Sequence, residues 1–311
     1  MIISASRRTD LPARYSDWLV NRFKEGFVYV RNPMNAHQVS KVSLMPDVVD
    51  GIVFWTKNPL PIIDKLEAFI NYEYYFQVTI NPYSQDVEPN VPSKGNVIIP
   101  AVKKLAEKIG SERVVWRYDP IILNSKYTVE YHCDYFEKMM KRLHSSVRKC
   151  TFSFVDMYKN TTRNILPLGL HEADREEIQM IAKSFSQIAK SYNVALDTCA
   201  EVIDLHEFGI NSACCIDRTL FESLLGCQLE IAKDPNQRPE CGCVASIDIG
   251  MYNTCTNGCK YCYANSNAPT AQTNCKKHNP YSPLLIGDVN SDDKLTERKM
   301  KSLKRGQLQL F

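Results

Sequence analysis

The sequence contains no apolar stretch that approaches the roughly 20 consecutive residues of a membrane-spanning helix. Residues 1–10 include Arg7, Arg8 and Asp10 and become polar too early for a secretory signal peptide. These absences predict a cytoplasmic protein without a membrane partner. The net charge of +3 is too small to indicate nucleic-acid binding by itself.

Histidine is scarce too, and its six residues show none of the spacings of a histidine metal site. Cysteine, in contrast, occurs twelve times. Because the cytoplasm keeps thiols reduced, this abundance favours metal ligation over disulfides. Cys133, Cys150 and Cys227 lie within helix or strand patterns and are predicted to be core residues. Cys275 is isolated in a polar stretch, and no role is predicted for it.

The most compact group of cysteines is a loop that carries Cys255, Cys259 and Cys262, here called the signature loop (residues 255–262). Cysteine thiolates bind iron–sulfur clusters, and three of them cap three irons of a four-iron cluster. The fourth iron stays open, which points to an enzyme. The alternative is a structural zinc site, whose ligands usually come as two pairs. Three cysteines in one short loop favour the cluster.

Short apolar runs alternate with helical patterns along the chain, and this alternation predicts parallel βαβ units. We expect an α/β protein built as a TIM-type barrel of about seven or eight strands. Helices are predicted at 12–26, 100–110, 128–143 and 173–192, and a hairpin insert at 27–31 and 39–44. The strands are predicted at Ile2–Ser6, Gly51–Thr56, Tyr74–Ile80, Arg113–Tyr118, Cys150–Val155, Val194–Thr198 and Ser246–Tyr252.

Two regions follow from this organisation. Residues 1–265 are predicted to form a single barrel that includes a cysteine-rich segment, 199–265. Residues 266–311 form a C-terminal extension.

Polar side chains follow the predicted strands, and barrel enzymes place their active sites on the edge where the strands end. Lys57, Arg117 and Asp119 are therefore the candidate catalytic residues.

Four further cysteines form a candidate second cluster site. Cys199 follows a predicted strand, Cys215 lies in the next loop, and Cys241 and Cys243 form a Cys-x-Cys pair upstream of the signature loop. Cys214 is the substitute ligand for Cys215. The alternative is ordinary burial, since cysteine is among the most buried residue types.

The signature loop is similar to the radical S-adenosylmethionine (SAM) signature, Cys-x3-Cys-x2-Cys with an aromatic residue before the last cysteine. The whole chain resembles an uncharacterised bacterial domain-of-unknown-function family with such a C-terminal loop. The segments that carry this resemblance are Ser4–Asp10, Phe54–Pro59, Trp116–Pro120, Asn236–Arg238, Asp248–Gly250 and Cys255–Ala264.

This resemblance implies a [4Fe–4S] cluster, SAM and an electron donor. Arg7, Lys57 and Arg117 are the cations expected to meet the SAM carboxylate. In radical SAM enzymes the loop usually follows the first strand, whereas here it follows the last. We therefore expect a circularly permuted barrel, in which Ser246–Tyr252 lies beside Ile2–Ser6. The usual glycine-rich SAM motif is not visible.

A more distant resemblance is to spore photoproduct lyase and related radical SAM DNA-repair enzymes. Thr56-Lys57 and the Arg117–Pro120 segment carry it. It implies a DNA lesion or a modified nucleoside as substrate. A radical SAM enzyme acting on a small metabolite is the alternative within the same class.

The chain ends Gln307–Phe311 after a basic stretch, which resembles the peptides that bind the bacterial sliding clamp. Such a tail presents apolar anchors to a groove while the basic residues approach DNA phosphates. The alternative is that Leu310 and Phe311 fold back onto the protein. DNA and the clamp are thus the predicted partners, and a DNA- or clamp-associated binding protein with a structural metal is the competing function.

Overall fold

The computed structural model describes residues 1–156, 164–201 and 203–305. Its centre is a sheet of eight parallel strands in the order β10-β1-β4-β5-β6-β7-β8-β9. These strands are β1 (Ile2–Ala5), β4 (Gly51–Thr56), β5 (Tyr74–Thr79), β6 (Val114–Ile121), β7 (Lys149–Phe154), β8 (Ala195–Thr198), β9 (Asn211–Ser212) and β10 (Ile247–Asp248).

A second, three-stranded sheet has the order β11-β3-β2. It consists of β2 (Phe27–Asn32), β3 (Asn35–Ser43) and β11 (Lys294–Glu297). The hairpin insert is confirmed, because β2 and β3 pair in antiparallel fashion. The C-terminal residues contact the rest of the chain through a strand and through side chains. Strand β11 pairs with β3, Trp18 Nε1 donates a hydrogen bond to the Ser282 carbonyl at 2.9 Å, and Arg31 pairs with Asp293.

The helices begin and end where the sequence supplies caps. Thr128, Asp174 and Asp217 each accept a hydrogen bond from a backbone amide of the first turn, and Gly110 follows the end of α4. The helices are α1 (Leu11–Arg14), α2 (Ser16–Glu25), α3 (Leu60–Ile63), α4 (Ile99–Ile109), α5 (Val129–Leu143), α6 (Arg175–Ser191), α7 (Arg218–Leu225) and α8 (Ala268–Cys275).

The six predicted strands from Ile2–Ser6 to Val194–Thr198 are all present, with small shifts at their ends. The predicted helix at 12–26 is divided at Tyr15, because Asp10 caps a first short turn before α2 begins. The predicted strand Ser246–Tyr252 shortens to β10. Strands β9 and β11 and helices α3 and α8 were not predicted, since two- to four-residue elements and polar helices carry little periodic signal.

The two faces of the large sheet are covered differently. On one face, Phe54, Phe76 and Trp116 pack against the helices in the main core. On the opposite face, here called the cysteine face, Val53 and Tyr75 pack against α7 and the cysteine-rich segment in a separate apolar cluster. Both faces are buried, which explains why the strands are apolar throughout rather than alternating.

The described strands do not close into the expected TIM-type barrel. Strands β10 and β9 are the two edges of the described sheet, and each is only two residues long. A closed barrel fills its interior with side chains from its own strands. Here Phe221 of α7 fills part of the cysteine face and packs directly against Gly51, so the sheet remains open around it.

The predicted neighbour relation between the first and last strands is confirmed. Ile3 pairs with Ile247 and Ser4 with Asp248 in parallel register. This pairing brings the signature loop to the edge where β1 and β4 also end. No helix within the described ranges is long and apolar enough to cross a membrane. The predicted clamp-binding peptide, 307–311, lies outside the described residues.

Candidate active site

The signature loop is held at the carboxyl edge of the sheet by the end of β10. The Asp248 carboxylate accepts hydrogen bonds from Ser4 Oγ at 3.0 Å and from the Arg7 amide at 2.8 Å. The Gly250 amide donates to the same carboxylate at 3.0 Å, and a side chain at Gly250 would collide with Ser6. The Asp248–Gly250 segment therefore fixes how the chain enters the loop.

Polar contacts tie the signature loop to the segment after β1. Asn257 Nδ2 donates to Asp10 Oδ2 at 3.2 Å, and Arg14 Nη2 donates to Asn257 Oδ1 at 2.6 Å. Asp10 also accepts the Lys57 amide at 2.9 Å. Burial raises the pKa of Asp10, and these donors partly offset the rise. One carboxylate thus joins the ends of β1 and β4 to the loop.

The three thiols of the signature loop lie in a region where burial favours their neutral form. Burial raises the pKa of Cys255 to about 12, with a further contribution from Asp10. Burial also raises the pKa of Cys259 well above that of an ordinary thiol, although Lys57 opposes this shift. Ligation as thiolates must therefore release protons when a metal binds.

The sulfurs of the loop are spread more widely than the ligands of one metal ion. Among residues 1–156, 164–201 and 203–305, the group of three ligand atoms found within 4.8 Å of one another is His37, Asp292 and Asp293. In that group, Arg31 already pairs with Asp293 at 2.6 Å. A zinc ion at about 2.3 Å from each sulfur draws its ligands closer together than the loop does. Cluster irons occupy separate corners and tolerate wider spacing.

Lys57 lies at the end of β4 and belongs to a buried charge network beneath the loop. Its Nζ contacts Glu88 Oε1 at 2.8 Å and Tyr261 Oη at 2.7 Å. Lys94 Nζ contacts the other Glu88 oxygen at 2.7 Å. Burial opposes ionisation of Lys57, but Glu88 and Cys259 outweigh it and raise the pKa of the ammonium group. Lys57 is thus a fixed cation next to a signature cysteine.

Arg117 and Asp119 form an ion pair within β6, where Arg117 is level with the last residue of β5. Arg117 Nε donates to Asp119 Oδ2 at 2.9 Å, and Ser153 Oγ donates to the other carboxylate oxygen. The Asp119 amide donates to Asn81 Oδ1 at 2.8 Å. Burial raises the pKa of Asp119, but Arg117 and Ser153 outweigh it, so the pKa lies below the ordinary value.

Trp55 lies between two arginines on the cysteine face. The guanidinium carbon of Arg7 is 6.0 Å from the centre of the Trp55 ring, and that of Arg117 is 5.5 Å away. The buried Trp55 Nε1 has no hydrogen-bond partner among the described residues. A buried donor without a partner usually indicates a ligand, ion or water. Arg7 also pairs with Asp234 at 3.7 Å.

The four cysteines of the predicted second set come together beside Arg117. The sulfurs of Cys199 and Cys215 are 3.2 Å apart, Cys215 interacts with Cys243, and Cys243 interacts with Cys241. Arg117 Nη1 donates to Cys215 Sγ at 2.8 Å. The structure therefore confirms that these residues are neighbours.

Cys214, the predicted substitute ligand, lies against the turn between Cys241 and Cys243. The other cysteines outside the signature loop are separate from this group. Cys150 is fully buried in the main core, as predicted, whereas Cys133 and Cys227 are partly exposed. Cys275 Sγ donates to the Thr254 carbonyl at 3.1 Å, next to the first signature cysteine. Its isolated position in the sequence had not indicated that contact.

Several residues of the site were missed or underestimated. Glu88 and Lys94 belong to no motif and lie in the connection after β5, so nothing in the sequence singled them out. Tyr261 is the aromatic residue of the signature, yet its hydrogen bonds with Lys57 and Asn81 could not be foreseen. Burial raises the pKa of Glu201 to about 7, which makes it a carboxyl group able to exchange a proton near neutral pH.

A cavity of about 180 Å³ lies beside the signature loop. Its walls include Cys255, Cys259 and the side chain of Asn265. Asn265 Nδ2 donates to the Cys255 carbonyl at 2.6 Å, while its buried Oδ1 has no partner among the described residues. The loop is thus accessible from one side.

Comparisons with known proteins locate the chain in a family without assigning an activity. A solved structure described as "a putative alpha-L-fucosidase from Bacteroides thetaiotaomicron VPI-5482" is similar, with 11% identity and a TM-score of 0.27. The similarity covers 50% of this chain and 64% of that one. A search of curated proteins finds no match. The family model described as "Domain of unknown function (DUF1848)" matches residues 2–264, and the chain therefore belongs to this family.

Proposed function

We propose that this protein is a radical SAM enzyme whose [4Fe–4S] cluster is held by Cys255, Cys259 and Cys262. The observation that carries the proposal is the position of the signature loop. It lies at the carboxyl edge of a parallel sheet, bound to Asp10 and in electrostatic contact with Lys57. Enzymes with parallel sheets use this edge for catalysis.

The donor set of the loop fits a cluster better than a zinc ion. Among the described residues, no three Cys, His, Asp or Glu ligand atoms at the loop lie within 4.8 Å of one another, as a tetrahedral zinc site requires. When bound, the cluster would supply one electron that breaks the C5′–S bond of SAM, giving methionine and a 5′-deoxyadenosyl radical. The chain's own residues would hold the cluster and position the reactants.

Of the three cations expected to meet the SAM carboxylate, Arg7 is the best candidate. Lys57 is already neutralised by Glu88, and Arg117 by Asp119. Among the described residues, the ion pair of Arg7 with Asp234 is longer, at 3.7 Å, than the pairs of the other two cations. The unpartnered Trp55 Nε1 provides a second donor between Arg7 and Arg117, as an anion-binding site requires. Lys57 and Arg117 then act mainly as positioning residues.

The neighbour relation of β10 and β1 supports a circularly permuted strand order of the radical SAM type, built here on an open sheet. In the usual order, the cluster loop follows the first strand and the chain continues through the rest of the sheet. In this chain the strand before the loop comes last but lies beside β1. The loop therefore reaches the expected place by a different chain order.

A DNA lesion or a modified nucleoside is the proposed substrate class. Tyr252 and Tyr263 flank the loop with 37% and 51% of their surface exposed, and the Arg8 guanidinium is 5.2 Å from the Tyr252 ring centre. Exposed aromatic and arginine side chains are typical surfaces for stacking bases. Arg298, Lys299, Lys301, Lys304 and Arg305 are exposed and suit phosphate contacts.

The experiment that tests the enzyme class measures SAM cleavage. The protein is purified without oxygen, reconstituted with iron and sulfide, reduced with dithionite and incubated with SAM. We expect 5′-deoxyadenosine from the unaltered protein and from Cys133→Ser, which alters a cysteine outside both groups. Cys259→Ser should abolish the product.

Two outcomes would contradict the proposal. One is a fully loaded, reduced protein that forms no 5′-deoxyadenosine with or without damaged oligonucleotides and modified nucleosides. The other is a single zinc ion at the loop, which would favour a DNA- or clamp-associated binding protein. Product formation that only a small metabolite stimulates would retain the enzyme class and replace the substrate class.

A further inference from the structure

We propose that Cys199, Cys215, Cys241 and Cys243 hold a second iron–sulfur cluster on the cysteine face. This site is separate from the signature loop and does not depend on SAM chemistry. Its ligands come from three segments: the residue after β8, the connection between β9 and α7, and the turn before β10. The fold brings together residues that lie far apart in the sequence.

The first supporting observation is the chain of contacts between the sulfurs. Cys199 Sγ and Cys215 Sγ are 3.2 Å apart, which is longer than the roughly 2.05 Å of a disulfide bond. The Cys215 thiol is in hydrogen-bonding contact with the Cys243 thiol, which in turn contacts the Cys241 thiol. Ordinary burial does not explain this arrangement, because apolar side chains could fill the same space without four thiols in a row.

The second observation is that the surroundings direct hydrogen-bond donors at the sulfurs. Arg117 Nη1 donates to Cys215 Sγ at 2.8 Å, and the Ile216 amide donates to Cys243 Sγ at 3.3 Å. Hydrogen bonds to sulfur are one of the means by which proteins adjust the reduction potential of an iron–sulfur cluster. A cation and an amide facing thiols indicate that these sulfurs carry negative charge when the site is filled.

The third observation is the tight, apolar enclosure of the site. Cys243 is 1% exposed and Cys215 is 5% exposed, and both pack with Leu220 and Phe221 of α7. The turn between Cys241 and Cys243 has no room for a side chain, because a Cβ at Gly242 would lie 2.6 Å from Cys214 Sγ. Burial of this kind limits the access of water to a cluster.

The sulfurs form a row of contacts rather than a group around one point, and this arrangement favours a cluster over a single zinc ion. No three of these sulfurs, all of which are described, lie within 4.8 Å of one another, although Cys199 and Cys215 are 3.2 Å apart. A tetrahedral zinc ion with bonds of about 2.3 Å requires all of its sulfurs around one centre. Four cysteines cap all irons of a four-iron cluster, so this site has no open iron. Its role is therefore electron transfer or structural support, in contrast to the signature loop.

The test counts iron and sulfide in variants that lack one cysteine group. The loop variant carries Cys255→Ala, Cys259→Ala and Cys262→Ala, and the second-site variant carries Cys199→Ala, Cys215→Ala and Cys243→Ala. After anaerobic reconstitution we expect about eight irons per chain in the unaltered protein and about four in each variant. The combined variant should bind none. After chemical reduction, the loop variant should still give the electron paramagnetic resonance signal of a four-iron cluster.

Controls keep the test decisive. Cys133→Ser should retain the full iron content, because Cys133 lies on α5 and belongs to neither cysteine group. Circular dichroism and thermal unfolding identify variants that do not fold. If the triple second-site variant fails to fold, Cys215→Ser in the loop variant replaces it and should lower the remaining iron at least several-fold.

Three results would overturn the proposal: a folded loop variant that binds no more iron than the combined variant, one that binds a single zinc ion, or a Cys199–Cys215 disulfide in the anaerobic protein. The outcome is independent of the proposed function. If no 5′-deoxyadenosine forms but the loop variant retains its iron and sulfide, the enzyme class fails while the second cluster stands.

Discussion

The two cysteine groups of this protein are built in opposite ways. The signature loop gathers its three cysteines within eight residues and is held by polar contacts of Asn257 with Asp10 and Arg14. The buried Lys57–Glu88 ion pair lies nearby. The second group draws Cys199 and Cys243 together from distant segments into an apolar cluster. A local motif depends on charge and hydrogen bonds for its placement, whereas a dispersed site depends on the packing of the fold.

The packing beneath the second group gives the largest expected effect. Phe221 is fully buried, and its ring centre lies 5.0 Å from that of Tyr75. Phe221→Ala removes a large core side chain and should lower the free energy of unfolding by about 4 kcal/mol. Urea unfolding measures this loss. Ile70→Ala, at a site that is 81% exposed, should change it by less than about 0.5 kcal/mol.

The same variant tests whether the two groups are independent. Iron bound by the second group should decrease in Phe221→Ala, while iron bound by the signature loop should remain. An equal loss of iron at both groups would show that they belong to one cooperative unit, and it would contradict their independence.

The charge network beneath the signature loop comes next. Lys57→Met leaves the buried Glu88 with Lys94 as its remaining cation. Removal of one partner of a buried ion pair leaves an uncompensated charge, and with Lys94 present we expect a loss of about 3 kcal/mol. Urea unfolding at about neutral pH provides the measurement.

An exposed ion pair serves as the control for Lys57. Lys104 contacts Asp64 at 2.8 Å on the surface, and Lys104→Met should cost less than about 1 kcal/mol. Similar losses for the two variants would mean that the network does not hold the loop region. Glu88→Gln combined with Lys57→Met should recover part of the loss, because the buried charge is removed.

The free energy of unfolding should decrease at acid pH because of a histidine outside both cysteine groups. This effect must be separated from any effect of acid on the cysteines. His132 is buried between Tyr118 Oη at 2.8 Å and the Ile122 carbonyl at 2.9 Å. Burial lowers its pKa from 6.5 to about 4. The folded state thus binds fewer protons than the unfolded state between these values. The stabilisation is present above pH 6.5 and is lost as pH falls towards 4.

For the unaltered protein this histidine accounts for a loss of about 2 kcal/mol between pH 8 and pH 5. In His132→Gln, the decrease in unfolding free energy over the same interval should be smaller by that amount. Urea unfolding at both pH values gives the comparison. An unchanged pH dependence would place the acid sensitivity elsewhere, including at the cysteine groups.

A glycine in the signature loop gives the smallest effect. Gly258 has a φ of +71°, and a Cβ there would lie 3.0 Å from Pro89 Cγ. Gly258→Ala should cost about 1–2 kcal/mol from the left-handed backbone, with an additional contribution from this contact. Gly226 has a φ of +66° but open space around it, so Gly226→Ala isolates the backbone cost. A greater loss for Gly226→Ala would contradict the close packing of the loop.

Much of the fold was predictable because the strands carry strong local patterns. The buried run Gly51–Thr56 and the capped helix that begins after Thr128 were found from residue type and spacing. Closure of the sheet was not predictable in the same way. It depends on what fills the cysteine face, and Phe221 occupies that space from a segment far along the chain.

The candidate site shows the same division. Lys57, Arg117 and Asp119 were predicted from their position after strands, and the structure places all three at the carboxyl edge. Their ion-pair partners were only partly predictable. Glu88 reaches Lys57 from a long irregular connection, where no periodic pattern constrains the position of a side chain.

The sequence by itself determined the α/β class and the spacing of Cys255, Cys259 and Cys262, because these properties depend on local residue patterns. The pairing of β10 with β1 was expected only through the resemblance to radical SAM enzymes. Only the tertiary structure decided that the described sheet stays open, that Arg7 retains the weakest ion pair of the three site cations, and that Cys199 and Cys215 meet. Those properties depend on contacts between residues far apart in the chain, which local spacing does not encode.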